Sequence, residues 1–358
     1  MKNVYNSNFA VLYQLKKPLV VKKLNIPKLK RNQILIKIRY SFICGTQLNE
    51  IFGLKGKDKY LPHVLGHEAS GEIIGFGPNV KKFKIGEKVF LSWIKKKESG
   101  SANPYYFDKK NKKINSGFVS TFSNLTIASK DRVYKIPSKL PLDLAALFGC
   151  ALPTGFGIIF KFLKKVSNKD CVGIYGVGGV GIMSIIALKA SGVKNIYAVD
   201  KNKKNLLIAK KLGCKFAGTL DEINNKIAKQ KIEKTKIKYN FEMSGNSILM
   251  EHAINNLSNN GTMVFAGNPK KGAKINLNPY DLIFGKKIYG FSGNDVSLEK
   301  NVNKYEKIIK KIGHKKIKSI FSTYRFKNIN KAIQDFKKGS VIRPCLLYTS
   351  DAADDSLR

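Results

Sequence analysis

The chain has 358 residues, of which 43% are hydrophobic and 10% aromatic, a composition that excludes a disordered polypeptide and allows two domains. Its formal net charge is +42, but only six of the 66 basic residues are arginine and the lysines are spread along the chain, which disfavours a specific nucleic-acid function. Because no apolar run has the length of a membrane span and the first residues lack an apolar signal core, a cytoplasmic protein is expected.

The first 140 residues predict short strands separated by turns. KRNQILIKIRYSFI alternates apolar and polar positions, as a half-buried strand does, and ASGEIIGFGP and GEKVFLSW are two further strands bounded by Gly and Pro. Residues 95–118 are polar and rich in Gly and Asn, and they predict an excursion on the surface. A β-rich first domain is therefore expected.

The pattern changes near residue 142. LDLAALFGCALPTGFGIIFKFL predicts two apolar helices that meet at Pro153. CVGIYGVGGVGIMSIIALKASG then predicts a buried strand, a glycine turn and an apolar helix, and VKNIYAVD, KYNFEMSG, GTMVFAG and KKIYGFSG predict further strands with helices between them. Alternating strands and helices indicate an α/β fold with a parallel, doubly wound sheet.

The glycine turn GVGGVG, residues 176–181, lies between a predicted strand and a predicted helix. Gly176 permits the tight turn, Gly178 lets the backbone approach a pyrophosphate, and Gly181 lets the helix pack close to the strand. The amides at the helix start, at Gly179 and Val180, then face the anion. This context predicts a dinucleotide site, with a glycine turn in a nucleotide-free sheet as the alternative.

Asp200 ends the next predicted strand, 19 residues beyond Gly181. An acid there accepts hydrogen bonds from both ribose hydroxyls and repels a 2′-phosphate, so NAD is favoured over NADP, although the nearby Lys201 and Lys203 soften that preference. Ser244 and Gly267, which end two later strands, are added to the predicted cofactor-binding residues.

The five cysteines, at positions 44, 150, 171, 214 and 345, are odd in number and have no close pairs. A disulfide framework is therefore not expected, and each cysteine is interpreted as a core side chain or a metal ligand. The last one opens the ending CLLYTSDAADDSLR, which is acidic and Ala-rich and resembles a translated sequencing adapter. We predict that residues 345–358 are a non-native tail.

Three residues with metal-binding side chains lie in turn-rich stretches: Cys44 in ICGT, His67 in LGHE and Cys150 in FGCALPTG. Two thiolates and an imidazole suit zinc, and three protein ligands leave a fourth position open for chemistry. Taken singly, a buried cysteine is usually a small hydrophobic side chain, so the prediction depends on the three residues together.

Four motifs carry a resemblance to the zinc-dependent alcohol dehydrogenases of the medium-chain dehydrogenase/reductase family: ICGT at 43–46, GHEASGE at 66–72, GCALPTG at 149–155 and GVGGVG at 176–181. The resemblance implies a mainly β, GroES-like catalytic domain over 1–150 and 296–344 and an NAD-binding Rossmann domain over 151–295. It implies a hydride transfer between an alcohol or polyol and NAD, giving an aldehyde or ketone.

The resemblance also implies roles at the metal. Cys44, His67 and Cys150 are its implied ligands. Glu68 would lie behind the ion, with a plain salt bridge as the alternative, and Thr46 would pass the substrate proton outward, with the capping of a local turn as the alternative. One catalytic zinc ion is thus implied.

Further implied roles concern the cofactor and the substrate. Thr154 would pack against the nicotinamide, Arg343 would reach the pyrophosphate, and Trp93 would line the substrate pocket or pack in the core. The expected partners are a small alcohol or carbonyl compound and other copies of the chain, in a homodimer or homotetramer.

The chain departs from the family pattern at three places. Residues 94–118 contain no cysteine, so the structural zinc of many relatives is predicted to be absent. Asn49 stands where some relatives have a proton-relay histidine, and Gln47 stands where an aspartate often braces the ligand histidine.

Two competing functions stay open. A zinc-free quinone or enone reductase of the same fold would lack the cysteine–histidine set. A non-enzymatic basic protein would bind polyanions through its positive charge.

Overall fold

The computed structural model describes residues 6–137, 140–164 and 166–348. The chain divides into two compact units, which we call unit 1, Met1–Cys150 with Ser297–Arg358, and unit 2, Ala151–Val296.

The strands and helices are numbered in chain order. The strands are β1 Asn6–Leu12, β2 Val20–Asn25, β3 Gln33–Phe42, β4 His63–Val64, β5 Glu68–Phe76, β6 Lys88–Ser92, β7 Tyr105–Phe107, β8 Lys113–Asn115, β9 Leu125–Ser129, β10 Val133–Lys135, β11 Cys171–Tyr175, β12 Asn195–Val199, β13 Phe216–Gly218, β14 Ile237–Glu242, β15 Thr262–Phe265, β16 Lys287–Gly290, β17 Ser322–Arg325 and β18 Pro344–Leu347. The α-helices are α1 Gly45–Ile51, α2 Leu142–Ala145, α3 Ala151–Phe162, α4 Gly179–Ala190, α5 Lys203–Lys211, α6 Leu220–Ala228, α7 Ser247–Asn255, α8 Pro279–Ile283, α9 Leu298–Ile312, α10 His314–Lys318 and α11 Ile329–Lys337.

Unit 1 is built mainly from β-structure. Five strands form a closed barrel in the order β1-β2-β7-β8-β4, and a second sheet has the order β10-β6-β5-β3-β18-β17, with β9 also paired to β3. Strands β3 and β5 lie in the middle of the second sheet, and their apolar side chains fill the core of the unit. The predicted β-rich domain is confirmed.

The predicted surface excursion at 95–118 is wrong in its second half. Strands β7 and β8 belong to the barrel, and Tyr106 and Ile114 at their centres are fully buried. The Tyr106 ring packs on Phe9, with ring centroids 4.4 Å apart. The prediction failed because a three-residue strand shows too few alternations to stand out from the lysines and asparagines around it.

Unit 2 is a doubly wound α/β unit, as predicted. Its six strands, in the order β13-β12-β11-β14-β15-β16, are all paired in parallel. The central strands β11 and β12 are almost continuously apolar because helices cover both faces of such a sheet. Order and direction together are those of a Rossmann sheet.

The predicted helix junction at Pro153 is wrong. α2 continues as a 3-10 turn, Ala146–Gly149, and the break falls at Cys150, whose φ and ψ of −153° and −75° are not helical. Pro153 instead lies in the first turn of α3. A proline is tolerated there because the N–H groups of a first turn have no acceptor within the helix.

The proposed domain limit at residue 344 falls inside β18. Cys345, Leu346 and Leu347 pair with Phe42, Ser41 and Tyr40 of β3, and Cys345 is fully buried. These residues therefore take part in the fold of unit 1, while residues 349–358 lie outside the described part. That the ending is not native stays a prediction.

A search of the described helices for membrane spans found none that qualifies alone. The segments Leu142–Gly149 and Ala151–Phe162 reach the required length and apolarity only when they are counted together. The cytoplasmic localisation stays a prediction.

Candidate functional site

Four side chains of unit 1 bring metal-binding atoms together. Each offers one sulfur, nitrogen or oxygen atom, and these atoms all lie within 4.8 Å of one another. We call this group the cysteine–histidine cluster; its members are Cys44, His67, Glu68 and Cys150. Among residues 6–137, 140–164 and 166–348, no other group of three or more such side chains meets this criterion.

Local backbone geometry delivers these side chains. Cys44 is the N-cap of α1, and Glu68 is the first residue of β5. Gly66, with φ +92°, makes the turn before His67, and a Cβ there would lie 2.3 Å from Thr121 Oγ1. Only a glycine therefore fits this turn.

Cys150 reaches the cluster through a second close approach. A Cβ on Gly149 would lie 2.3 Å from the carbonyl oxygen of Leu91 and 2.6 Å from Cβ of Glu68. The missing side chain lets the segment before Cys150 pack directly against β5 and β6.

The surroundings of the two thiols in the cluster shift their pKa values in opposite directions. The neighbouring thiol of Cys150, and then the ring of His67, hold the pKa of Cys44 well below its ordinary value although burial opposes this. The contact with Cys44 and burial raise the pKa of Cys150 well above its ordinary value. A cation bound by both sulfurs would favour the thiolate form of each.

His67 presents a free ring nitrogen to the cluster. Burial lowers the pKa of His67, but the contact with Cys44 and the charges of Cys44 and Glu68 outweigh it and raise the pKa. Nε2 of His67 lies 4.0 Å from Oε1 of Glu68, and within the described residues neither buried atom has a hydrogen-bond partner.

These donors fit a zinc ion. Two sulfurs and one imidazole nitrogen are a ligand set that zinc prefers, and a cation would compensate a buried nitrogen and a buried oxygen that have no hydrogen-bond partner in the described part of the chain.

Glu68 and Arg343 form a fully buried ion pair behind the ligands. Glu68 is 0% exposed and Arg343 is 3% exposed, and the guanidinium Nη2 donates to Oε2 of Glu68. Burial raises the pKa of Glu68 to about 7 even though Arg343 lowers it. The family resemblance implied that Arg343 reaches a pyrophosphate, with a surface arginine as the alternative, and did not indicate Glu68 as its partner. Arg343 is buried, and its role toward a cofactor stays a prediction.

Gln47 also contacts the cluster. Its Oε1 accepts a hydrogen bond from the backbone N–H of Cys44 at 2.8 Å, and its Nε2 contacts Nδ1 of His67. The sequence suggested the contact with His67 but not the simultaneous contact with Cys44.

The segment predicted to lack a structural zinc is held by other means. The side chains of Asn32 and Gln33 donate to the carbonyl oxygens of Gly100 and Ala102, at 2.9 and 3.3 Å. The hydroxyl of Ser129 accepts from the backbone N–H of Ser101 at 2.8 Å. Three side-chain hydrogen bonds thus hold residues 100–102, and the absence of a second zinc ion stays a prediction.

The glycine loop, residues 176–181, lies in unit 2 between β11 and α4. Gly176 has φ +88°, and a Cβ on Gly181 would lie 2.0 Å from the carbonyl oxygen of Gly176, so both positions require glycine. Gly178 is the N-cap of α4, and a Cβ there would meet nothing within 4 Å among the described residues. Gly179 and Val180 begin the helix, so their amides lie at its positive end.

Asp200 lies beside the glycine loop. Its carboxylate accepts hydrogen bonds from the backbone N–H groups of Val177 and Asn202, each at 2.7 Å, and from Nδ2 of Asn205 at 3.2 Å. The predicted acid at the end of β12 is thus fixed next to the loop.

Ser244 and Gly267 meet around a buried carboxylate that the sequence did not indicate. Glu242, at the end of β14, is fully buried and accepts from the backbone N–H groups of Ser244 and Gly245 at 2.6 and 2.9 Å. A Cβ on Gly267 would lie 2.6 Å from Oε2 of Glu242, and one on Gly176 would lie 2.8 Å from the backbone N of Ser244. Ser244 therefore lies close to Gly176 of the glycine loop, and Gly267 lies close to the Glu242 carboxylate.

The remaining predicted residues are placed as follows. Thr46 lies in α1 and is half-buried. Thr154 lies in α3, and its Oγ1, like Nε1 of Trp93, is buried without a hydrogen-bond partner within the described residues. An unpartnered buried polar atom is typical of a side chain that faces a ligand, but the roles of these three residues stay predictions.

Two family models match the chain. One, described as an alcohol dehydrogenase GroES-like domain, matches residues 30–138, and the other, described as a zinc-binding dehydrogenase, matches residues 179–314. Together these matches cover more than half of the chain.

Similar proteins include S-(hydroxymethyl)glutathione dehydrogenase of Saccharomyces cerevisiae, 29% identical over 94% of this chain and 95% of that protein. Alcohol dehydrogenase class-2 isozyme 2 of Oryctolagus cuniculus is 26% identical over 95% of this chain and 97% of that protein. The crystal structure of benzyl alcohol dehydrogenase from Acinetobacter calcoaceticus has a TM-score of 0.83 at 23% identity, over 97% of this chain and 100% of that one.

Proposed function

Because the chain belongs to the zinc-binding medium-chain alcohol dehydrogenase family, we propose that it is an NAD-dependent alcohol dehydrogenase acting through one zinc ion. The reaction would interconvert a small alcohol or polyol and the corresponding aldehyde or ketone. The observation that carries the proposal is the cysteine–histidine cluster, in which a buried imidazole nitrogen that has no hydrogen-bond partner among the described residues lies near two buried thiols.

Cys44, His67 and Cys150 would hold the zinc ion, and Glu68 would tune it from behind. Bound zinc supplies a Lewis acid, which makes an alcohol oxygen easier to deprotonate and a carbonyl group more polar. The protein contributes the low pKa of Cys44, and the buried Arg343 balances the charge of Glu68. Their burial keeps bulk water away from these charges.

The glycine loop would bind the cofactor pyrophosphate. The open side of Gly178 and the amides at the start of α4 support this role, and NAD supplies the hydride acceptor. The position of Asp200 beside the loop supports NAD over NADP, because its carboxylate would repel a 2′-phosphate.

The competing functions have less support. A zinc-free reductase would have no use for two thiols and an imidazole within 4.8 Å of one another. A basic polyanion-binding protein would need neither this cluster nor the glycine loop.

The proposed assembly is a homodimer or homotetramer, in which a second copy covers an apolar surface of unit 2. This surface combines the edge strand β16 with large side chains that are exposed on and around α8, from 37% at Leu277 to 73% at Ile283. Exposed apolar side chains next to a sheet edge favour association between chains. Light scattering should detect a dimer or tetramer that Ile283→Lys dissociates, and a wild-type chain that stays monomeric would refute this assembly.

The enzymatic proposal is tested by NADH formation with a panel of primary alcohols, secondary alcohols and polyols, with and without a zinc chelator. We expect turnover of at least one class, its loss on chelation and its return with added zinc. No NADH formation from any alcohol, together with consumption of NADH on a quinone or enone in the presence of the chelator, would favour the zinc-free reductase. DNA binding at physiological salt without any NAD affinity would favour the polyanion-binding protein.

A further inference from the structure

One buried side chain connects two of the proposed zinc ligands. Gln47 is 1% exposed, and the two ends of its amide point to different neighbours. Oε1 accepts from the backbone N–H of Cys44 at 2.8 Å, while Nε2 contacts Nδ1 of His67. The orientation of this amide therefore determines the hydrogen bonds of both Cys44 and His67.

As a zinc ligand, His67 requires a hydrogen-bond acceptor near its Nδ1 atom, where Gln47 lies. Its Nε2 is the ring atom that faces the cluster and that has no partner within the described residues. An imidazole that binds a metal through Nε2 carries its proton on Nδ1, and this Nδ1–H group is normally bound to an acceptor. His67 thus needs an acceptor at the position that the Gln47 amide occupies.

A glutamine side chain cannot accept hydrogen bonds from both Cys44 and His67. The backbone N–H of Cys44 is always a donor, and so is Nδ1–H of His67 in the metal-binding tautomer, but the amide offers one oxygen and one NH₂ group. With the oxygen on Cys44, the NH₂ group donates to Nδ1 and leaves the ring proton on Nε2. If the amide rotates by 180°, its oxygen can accept from Nδ1–H of His67. Its NH₂ group then faces the backbone N–H of Cys44, and two donors cannot form a hydrogen bond.

We propose that Gln47 is a positioning residue that opposes the metal-binding tautomer of His67 and so weakens zinc binding. The proposal rests on the proposed function, because it requires that Cys44, His67 and Cys150 bind zinc. Zinc binding then has to break the hydrogen bond between Gln47 and His67. A carboxylate at this position would accept from both donors, and changes of this kind alter metal affinity by about 10–100-fold.

The test compares the wild-type chain with Gln47→Glu, which keeps the length of the side chain and supplies two acceptor oxygens. Zinc affinity is measured by competition with a chromophoric chelator, and we expect Gln47→Glu to bind zinc about tenfold more tightly or better. A variant that binds zinc no more tightly than the wild type refutes the proposal and leaves the proposed function intact. If neither protein binds zinc, both fail.

The control variant is Asn49→Asp, which adds the same charge two positions further along α1. An equal gain in this control would assign the effect to charge alone and would refute the role of Gln47. The second readout is ¹⁵N NMR of the metal-free proteins, which reports the protonated ring nitrogen. We expect the proton of neutral His67 on Nε2 in the wild type and on Nδ1 in Gln47→Glu; a wild-type proton already on Nδ1 overturns the proposal without any variant.

Discussion

The cysteine–histidine cluster of unit 1 takes its side chains from three separate stretches, residues 44, 67–68 and 150, whereas the glycine loop of unit 2 is a continuous run, 176–181. The cluster depends on long-range packing and on buried charges that compensate one another. The loop depends on backbone conformation and on side chains that are absent. Changes in the cluster should therefore act through charge and metal binding, and changes in the loop through sterics and cofactor binding.

The largest effect is expected for Cys44→Ser. Loss of a thiolate ligand should reduce alcohol oxidation by about a thousandfold or more, because the cluster would no longer retain its Lewis acid. NAD affinity, measured by calorimetry, should stay unchanged, because the glycine loop lies in the other unit. The matched control is Cys171→Ser, a thiol outside the cluster, which should keep its activity.

Arg343→Met should cost about 3–5 kcal/mol of unfolding free energy, because it leaves Glu68 buried without its cation. Denaturant unfolding of the metal-free protein measures this loss. The double variant Glu68→Gln/Arg343→Met should recover much of it, since no unpaired charge then remains. A single variant as stable as the wild type would mean that the pair does not organise the cluster.

Gly181→Ala should cost about 2–3 kcal/mol, because the new Cβ would lie 2.0 Å from a carbonyl oxygen of the loop. Gly178→Ala is the informative partner, since its Cβ meets nothing within 4 Å in the described structure. It should unfold like the wild type but bind NAD more weakly. Equal NAD affinity in Gly178→Ala would show that the backbone at this position does not approach the pyrophosphate.

The smallest effect concerns acid stability of unit 2. Burial lowers the pKa of His252 to about 4, and its ring contacts are the neutral groups of Tyr175, Asn224 and Asn256. The neutral ring is favoured in the folded state, so its contribution is complete above the unfolded pKa of about 6.5 and is lost as the pH falls toward 4. Because the ring is partly exposed, we expect a loss of about 1–2 kcal/mol over this range.

Denaturant unfolding at a series of pH values measures this slope. His252→Asn should flatten the slope between pH 6.5 and 4. An unchanged slope would place the acid sensitivity in other groups.

The glycine loop and the cysteine–histidine cluster also differ in how far the sequence could predict them. The glycine loop, its strand and helix, and Asp200 were predictable from local pattern, because each requirement lies within one strand–turn–helix unit. The cluster was suggested by the combination of two cysteines and a histidine, and its roles were predictable only through the family resemblance of three motifs, ICGT, GHEASGE and GCALPTG. The ion pair between Glu68 and Arg343 joins residues 275 positions apart, and no local pattern records such a pairing.

The other misses have local causes. Strands β7 and β8 are too short to show a period. Pro153 resembles a helix break in the sequence, but the first turn of a helix accepts proline. The double contact of Gln47 depends on where α1 begins, which the sequence does not specify to within one residue.

We propose that one zinc ion in the cysteine–histidine cluster supports alcohol oxidation. Elemental analysis of the purified protein, combined with NADH formation during removal and return of zinc, tests it most directly. We expect one zinc ion per chain, loss of turnover on removal, and recovery in proportion to the zinc restored. Turnover by a metal-free chain, or a zinc-loaded chain that oxidises no alcohol, would contradict it.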